Sequence, residues 1–246
     1  MINRFWTNTV KIPKLKICGV NSVDFAIDCY DLGVDALGFH IWEHEFLSGE
    51  WQQKISLFSE ITSILPSDIS LTLVTNIKDT RSLKILIKSC RFDSVQLHRR
   101  IAPVYFKHLI EDIKIIKEGL KIIGVIAVNL NEATIKELYE LMDEYGKICD
   151  AILLDSSWKG GSGKTHDWAL SAKLKESINS PCILAGGLNI RNIIKAIQLV
   201  KPFAVDIQSG IEKKLQKGTF QLKAKSILKV EEIISAIRTN FWQKHG

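Results

Sequence analysis

A single closed (β/α)8, or TIM-type, barrel is the α/β fold class that this sequence predicts. Three observations carry that expectation. The chain has 246 residues, at the upper end for one domain and the usual size for such a barrel. Short apolar runs alternate with longer helical patterns eight times, with no linker between them. The runs are too apolar to leave a face in water, as expected of parallel strands covered by helices. An open doubly wound sheet is the alternative, and eight near-equal repeats place it second.

The elements follow in order. Residues 1–13 are a short N-terminal extension, mixed polar around Trp6, and the barrel domain runs on to residue 246. The first strand, 15–18, stops at Gly19, and Asn21 or Ser22 starts a helix over 22–32. Strands at 35–39, 70–74 and 94–97 are followed by helices at 51–64, 79–90 and 103–112. Strands at 122–127, 151–154, 182–185 and 204–207 are followed by helices at 131–145, 167–177, 189–200 and 225–238, with Asn189 as the starter of the seventh.

Composition narrows the function. Apolar residues make up 46% of the chain, no apolar run reaches the length of a membrane span, and the N-terminus lacks an apolar signal core. Five cysteines without CxxC pairs argue against a disulfide framework or a metal site, and for a reducing, cytoplasmic setting. Cys29, Cys90, Cys149 and Cys182 read as small buried apolar residues. The net charge of +6 is spread over helices, so the expected partner is an anionic small molecule rather than nucleic acid or a membrane surface. Nothing in the sequence sets an oligomeric state.

The most informative stretch is 151–168. An apolar strand runs into Asp155, and a glycine-rich loop with Lys164 follows. Gly163-Lys164-Thr165 imitates the end of a nucleotide-binding P-loop, but that motif needs a glycine where this chain has Trp158. What remains is an acid beside a small-phosphate site, in which bare backbone N–H groups hold the anion. In a barrel the reactive groups belong at the C-terminal ends of strands, with phosphate after strands seven and eight. Strand one ends with Lys16 and Cys18 on one side, and strand eight places Asp206 and Gln208 together. Gly186-Gly187 and Ser209-Gly210 follow strands seven and eight. Taken singly, each piece has an ordinary explanation: Asp155 as a loop cap, the glycine pair as a tight turn, Lys164 as a solvated lysine, His98 as a satisfied rim histidine. Their convergence on one rim favours a site.

At these residues the chain resembles the phosphoribosylanthranilate isomerase family. The segments that carry the resemblance, in the family's order, are Lys16–Gly19, Asp35–Phe39, Val95–His98, Leu153–Asp155 with Gly160–Trp168, Leu184–Asn189, and Lys201–Asp206 with Ser209-Gly210. The resemblance covers roughly residues 14 to 240. It implies a cofactor-free barrel enzyme of tryptophan biosynthesis that performs an Amadori rearrangement of a phosphorylated aminoaldose. By this resemblance Asp155 is the general acid that opens the sugar ring and Cys18 the base that removes the C2 proton. Asp206 contacts the sugar hydroxyls, and Gly161, Ser162, Gly163 and Lys164, with Gly186, Gly187, Ser209 and Gly210, form the phosphate cradle. An acid needs a raised pKa in a dry mouth, and Lys16 is placed to favour the Cys18 thiolate and to reach substrate.

One departure stands out. The family carries an arginine after strand two that pairs with the anthranilate carboxylate. Here residues 40–51 hold Glu43, Glu45 and Glu50 and no arginine or lysine, so Arg99 or Arg100 after strand four is the expected replacement anchor. Gln208 also stands where a serine is usual. Three readings therefore stay open: an isomerase with a relocated anchor, a related phosphosugar enzyme with a different aglycone, and a non-catalytic phosphate-binding barrel.

Overall fold

A computed structural model describes residues 3–7, 13–158, 163–213 and 224–241. Eight parallel strands close on themselves in sequence order. They are β1 (Lys14–Cys18), β2 (Ala36–His40), β3 (Ser70–Thr75), β4 (Ser94–Leu97), β5 (Lys121–Ala127), β6 (Ala151–Asp155), β7 (Cys182–Leu184) and β8 (Ala204–Ile207). The surrounding helices are α1 (Val23–Asp31), α2 (Glu43–Ser48), α3 (Trp51–Ile64), α4 (Thr80–Ser89), α5 (Pro103–Ile116), α6 (Ile135–Ile148), α7 (Trp168–Glu176), α8 (Ile193–Val200) and α9 (Ile227–Phe241).

Local chemistry explains the boundaries. Ser22 caps α1 by accepting from the Phe25 N–H, Asp79 and Asp167 cap α4 and α7, and Thr134 with Glu137 forms a capping box on α6. The sequence places the seventh helix at 189–200, but α8 begins at Ile193, because Asn189 and Asn192 first spend their amides on the Gly187 carbonyl. The periodicity gives no sign of α2. Its seed is the Glu45 carboxylate, which accepts from the Trp42 N–H within the strand-two loop.

Alternation along each strand divides the barrel into two cores. Leu15, Ile17, Leu37, Phe39, Leu73, Ile152 and Leu154 face the helices. Ala36, Ile123, Val125, Ala151, Leu153, Ile183 and Ala204 fill the lower interior, and Phe5, fully buried, plugs them from below. The described part of the N-terminal extension, residues 3–7, is thus packing material. Its Trp6 indole N–H donates to Ser70 Oγ at 3.2 Å, and Arg4 donates to the Val34 carbonyl.

Above this apolar layer the interior turns polar. Thr72 and Ser94 hydrogen-bond at 2.8 Å, and Lys16 and Asp206, register partners across β1 and β8, form an ion pair at 2.7 Å. Charges so deep persist only when paired. This layer is the floor of the site.

Candidate active site

Cys18, Lys16 and Asp206 come together as the sequence implies, in a tighter unit than expected. Lys16 is fully buried and donates to Asp206 Oδ2 at 2.7 Å, Gln96 Oε1 at 2.9 Å and Cys18 Sγ at 3.5 Å. It has no exposed surface, and its three hydrogen bonds are spent within the protein. Lys16 holds Asp206 and the thiol in place. Among the described residues, the second oxygen of Asp206, Oδ1, is buried with no hydrogen-bond partner.

The thiol also departs from expectation. Lys16 favours the thiolate, but burial outweighs it and Asp206 opposes it, and together they push Cys18 up to about 12. Cys18 therefore rests as a thiol. Room for it comes from Gly38, its register partner on β2, where a Cβ would lie 2.6 Å from Sγ. One pleat higher, His40 Nε2 lies 3.0 Å from Sγ. Sequence reasoning missed His40, although a polar residue two positions after a strand glycine is a signal that period two could have exposed.

Asp155 closes β6 and is 7% exposed. Burial raises its pKa, against the lowering effects of His98 and the Ser156 backbone N–H, in the direction that an acid requires. Ser156 N–H donates to Oδ1 at 2.6 Å, and His98 Nε2 stands 3.9 Å from Oδ2. Asp206 adds negative potential to both Cys18 and Asp155. Between the two lies a chain of rings, His40 against Trp42 at 5.2 Å and Trp42 edge-on to His98 at 6.0 Å.

The loops after β6, β7 and β8 converge beside Asp155. Gly186 and Gly187 have φ of +81° and +63°, and a Cβ on Gly187 would meet the Lys164 carbonyl carbon at 2.7 Å. A Cβ on Gly210 would lie 2.0 Å from the Leu188 carbonyl oxygen, and one on Gly163 would lie 3.7 Å from Ser209 Oγ. Gly163, Lys164, Gly186, Gly187, Ser209 and Gly210 thus share one corner of the rim. Gly161 and Ser162 lie outside the described residues.

The two arginines expected as replacement anchors are engaged by the protein itself. Arg99 donates to Glu43 at 3.2 Å and to the Asn76 carbonyl at 3.1 Å. Arg100 turns toward α6, to the Glu132 carbonyl and Glu137, and so leaves the candidate substrate-binding set. The strand-two loop is also less repulsive than its sequence suggests, since Glu43 meets Arg99 and Glu45 meets Lys54. Beside Cys18, a cavity of about 620 Å³ is lined by Gly19, Asn21, His40, Lys54, Gln208 and Lys225 among others. Among the described residues, no group of three or more His, Cys, Asp or Glu is placed to hold a metal ion.

A closed barrel with an acid, a thiol and a glycine-walled corner on one rim has the layout of a (β/α)8 enzyme of acid–base chemistry. Likeness to known proteins narrows this class. Residues 15–227 match the model of the N-(5'-phosphoribosyl)anthranilate isomerase family. The chain is 32% identical to the N-(5'-phosphoribosyl)anthranilate isomerase of Methanocella arvoryzae, over 92% of this chain and 99% of that one. It is 31% identical to that of Bacillus cereus, over 89% and 98%. The phosphoribosyl anthranilate isomerase structure from Thermus thermophilus superposes with a TM-score of 0.71 at 22% identity, covering 92% of this chain and 99% of that one. The chain belongs to the phosphoribosylanthranilate isomerase family.

Proposed function

We propose that the protein converts N-(5'-phosphoribosyl)anthranilate to its 1-deoxyribulose isomer, an aldose–ketose rearrangement in tryptophan biosynthesis. Family membership supports the reaction, and the observation that carries it is the protonation-favouring burial of Asp155 on the same rim as a thiol. The phosphate sits in the corner formed by Gly163, Lys164, Gly186, Gly187, Ser209 and Gly210. Gly163, Gly186 and Gly187 adopt left-handed φ there at no steric cost, a conformation from which backbone N–H groups can form an anion-binding concavity. Asp206 Oδ1 accepts from a sugar hydroxyl, which supplies its missing partner.

Asp155 protonates the ring oxygen while the anthranilate nitrogen pushes its electron pair toward C1, giving a protonated Schiff base. Cys18 then removes the C2 proton, and the C–H electrons flow to the nitrogen as the enolamine forms. Protonation at C1 and loss of the 2-hydroxyl proton complete the ketone. The aglycone occupies the cavity beside Cys18, whose lining includes Glu50 and the lysines Lys54 and Lys225, paired with Glu45 and Glu212. After these lysines, Arg99, held by Glu43, is the secondary candidate for its carboxylate. Five free cysteines suit a cytoplasmic setting.

The test is growth. Expression in a bacterium lacking its own isomerase should restore growth without tryptophan, and a folded protein that fails to do so points to a different aglycone.

A further inference from the structure

The mechanism leaves a question at the thiol. Cys18 is pushed up to about 12, so almost none of it is thiolate near neutrality. A base must first lose its own proton. Two side-chain groups lie within reach of Sγ among the described residues. Lys16 Nζ, at 3.5 Å, is an ammonium that donates to Asp206 and Gln96 and has no lone pair to receive with. His40 Nε2, at 3.0 Å, has one whenever the ring hydrogen sits on Nδ1.

Strand register builds this pair. Cys18 faces Gly38, Gly38 has no side chain to intrude, and His40 follows on the same face of β2 one pleat nearer the mouth. Trp42 packs against the ring from the far side. The charged groups around the ring are Lys16 from β1, His98 from β4, Lys54 from α3 and Lys225 from the segment before α9; around the thiol they are Lys16, Lys225 and Asp206. Burial, aided by the positive charge of Lys16, Lys225 and Lys54, holds the imidazole neutral, well below the usual histidine range. A neutral ring is a hydrogen-bond acceptor, and because the same burial opposes an imidazolium, the ring carries the thiol proton only transiently, while the C2 proton is being removed.

Resting on the reading of Cys18 as the base, we propose that His40 is the positioning residue of a Cys–His pair: its Nε2 holds the thiol S–H and takes its proton as the C2 proton is attacked. The protons balance. The S–H bond breaks and an N–H bond forms, and the thiolate then takes the C2 proton to become thiol again. The imidazolium proton leaves as the enolamine gains one at C1, while the 2-hydroxyl proton returns to the Asp155 carboxylate. Each group ends as it began.

His40→Ala and the volume-conserving His40→Gln test this. Both should lower kcat about 10²-fold with KM changed less than about threefold. The deficit should shrink as pH rises, and added imidazole should restore turnover of the alanine variant, as a merely structural role would not require. Loss that neither pH nor imidazole relieves, or a kcat within about threefold of wild type, overturns the proposal. The Cys18→Ala variant separates the two ideas: if it is active, the reading of Cys18 as base fails, whereas if it is dead and the His40 variants are normal, only the pair fails. Iodoacetamide labelling of Cys18 near neutral pH needs no substrate. It should be about tenfold slower in His40→Gln, and equal rates count against the pair.

Discussion

Gly38→Ala probes the site through a single methyl group. The new Cβ would lie 2.6 Å from Cys18 Sγ, 3.2 Å from Lys16 Nζ and 3.3 Å from Cys18 Cα. Ordinary non-bonded separation needs about 3.5–4.0 Å, so the sulfur must retreat by about 1 Å. The crowding of the Cys18 main chain prevents β1 from absorbing the change cheaply, since that strand is paired along both edges. Overpacking of this kind costs about 1–3 kcal/mol of stability. A misplacement of about 1 Å at a reacting group costs about 10²-fold in rate. The expected outcome is a folded variant, by urea unfolding, whose kcat/KM has fallen about 10²-fold. Gly49→Ala is the control. Its φ of +86° strains an alanine, costing about 1–2 kcal/mol, yet its Cβ meets nothing within 4 Å. It should lose comparable stability and keep its rate. If Gly38→Ala loses the predicted stability and still turns over within about threefold of wild type, the thiol is not where the C2 proton goes.

Asp155→Asn should lower kcat by about 10²–10⁴-fold while leaving the protein at least as stable as wild type near neutral pH. The sign follows from the raised pKa: the carboxyl's contribution to stability is present below the unfolded value of about 3.9 and is lost as pH rises through the folded value. Urea unfolding should therefore show the advantage of the asparagine growing as pH rises above about 4. Lys16→Met strands Asp206 in the interior and should cost about 3–5 kcal/mol in chemical unfolding, and adding Asp206→Leu should recover much of it without restoring activity. Lys225→Met should raise KM for the anthranilate substrate about tenfold with a smaller effect on kcat, whereas Arg99→Met should change KM less than about threefold; the reverse order returns the anchor to Arg99. Gly187→Ala should already disrupt the phosphate corner, because its Cβ collides with backbone; an unchanged affinity for ribose 5-phosphate would refute that placement.

The barrel was legible because it rests on periodicity, and all eight strands fall within a residue or two of the boundaries that alternation implies. The rim was legible in part, since strand ends and glycine pairs mark it. What escaped depends on pairing across strands or on distant segments. Phe5 lies far from the strands it plugs, so nothing local shows that it folds under the barrel. Lys16 has the sequence position of a substrate-binding residue, and only the β1–β8 register and a contact across the barrel to β4 show that Asp206 and Gln96 consume it. Arg100 follows His98 closely in sequence, but its side chain goes to the α6 capping box. His40 closes β2 beside Cys18, a relation set by the β1–β2 register, which alternation along one strand does not give.

The most direct test of the account is turnover of phosphoribosylanthranilate, generated in situ and followed by loss of its fluorescence, in wild type, Cys18→Ala and Asp155→Asn. The account predicts turnover in the wild type and its near-complete loss in both folded variants. Wild-type rates in either variant, or no turnover by a folded wild type, would contradict it.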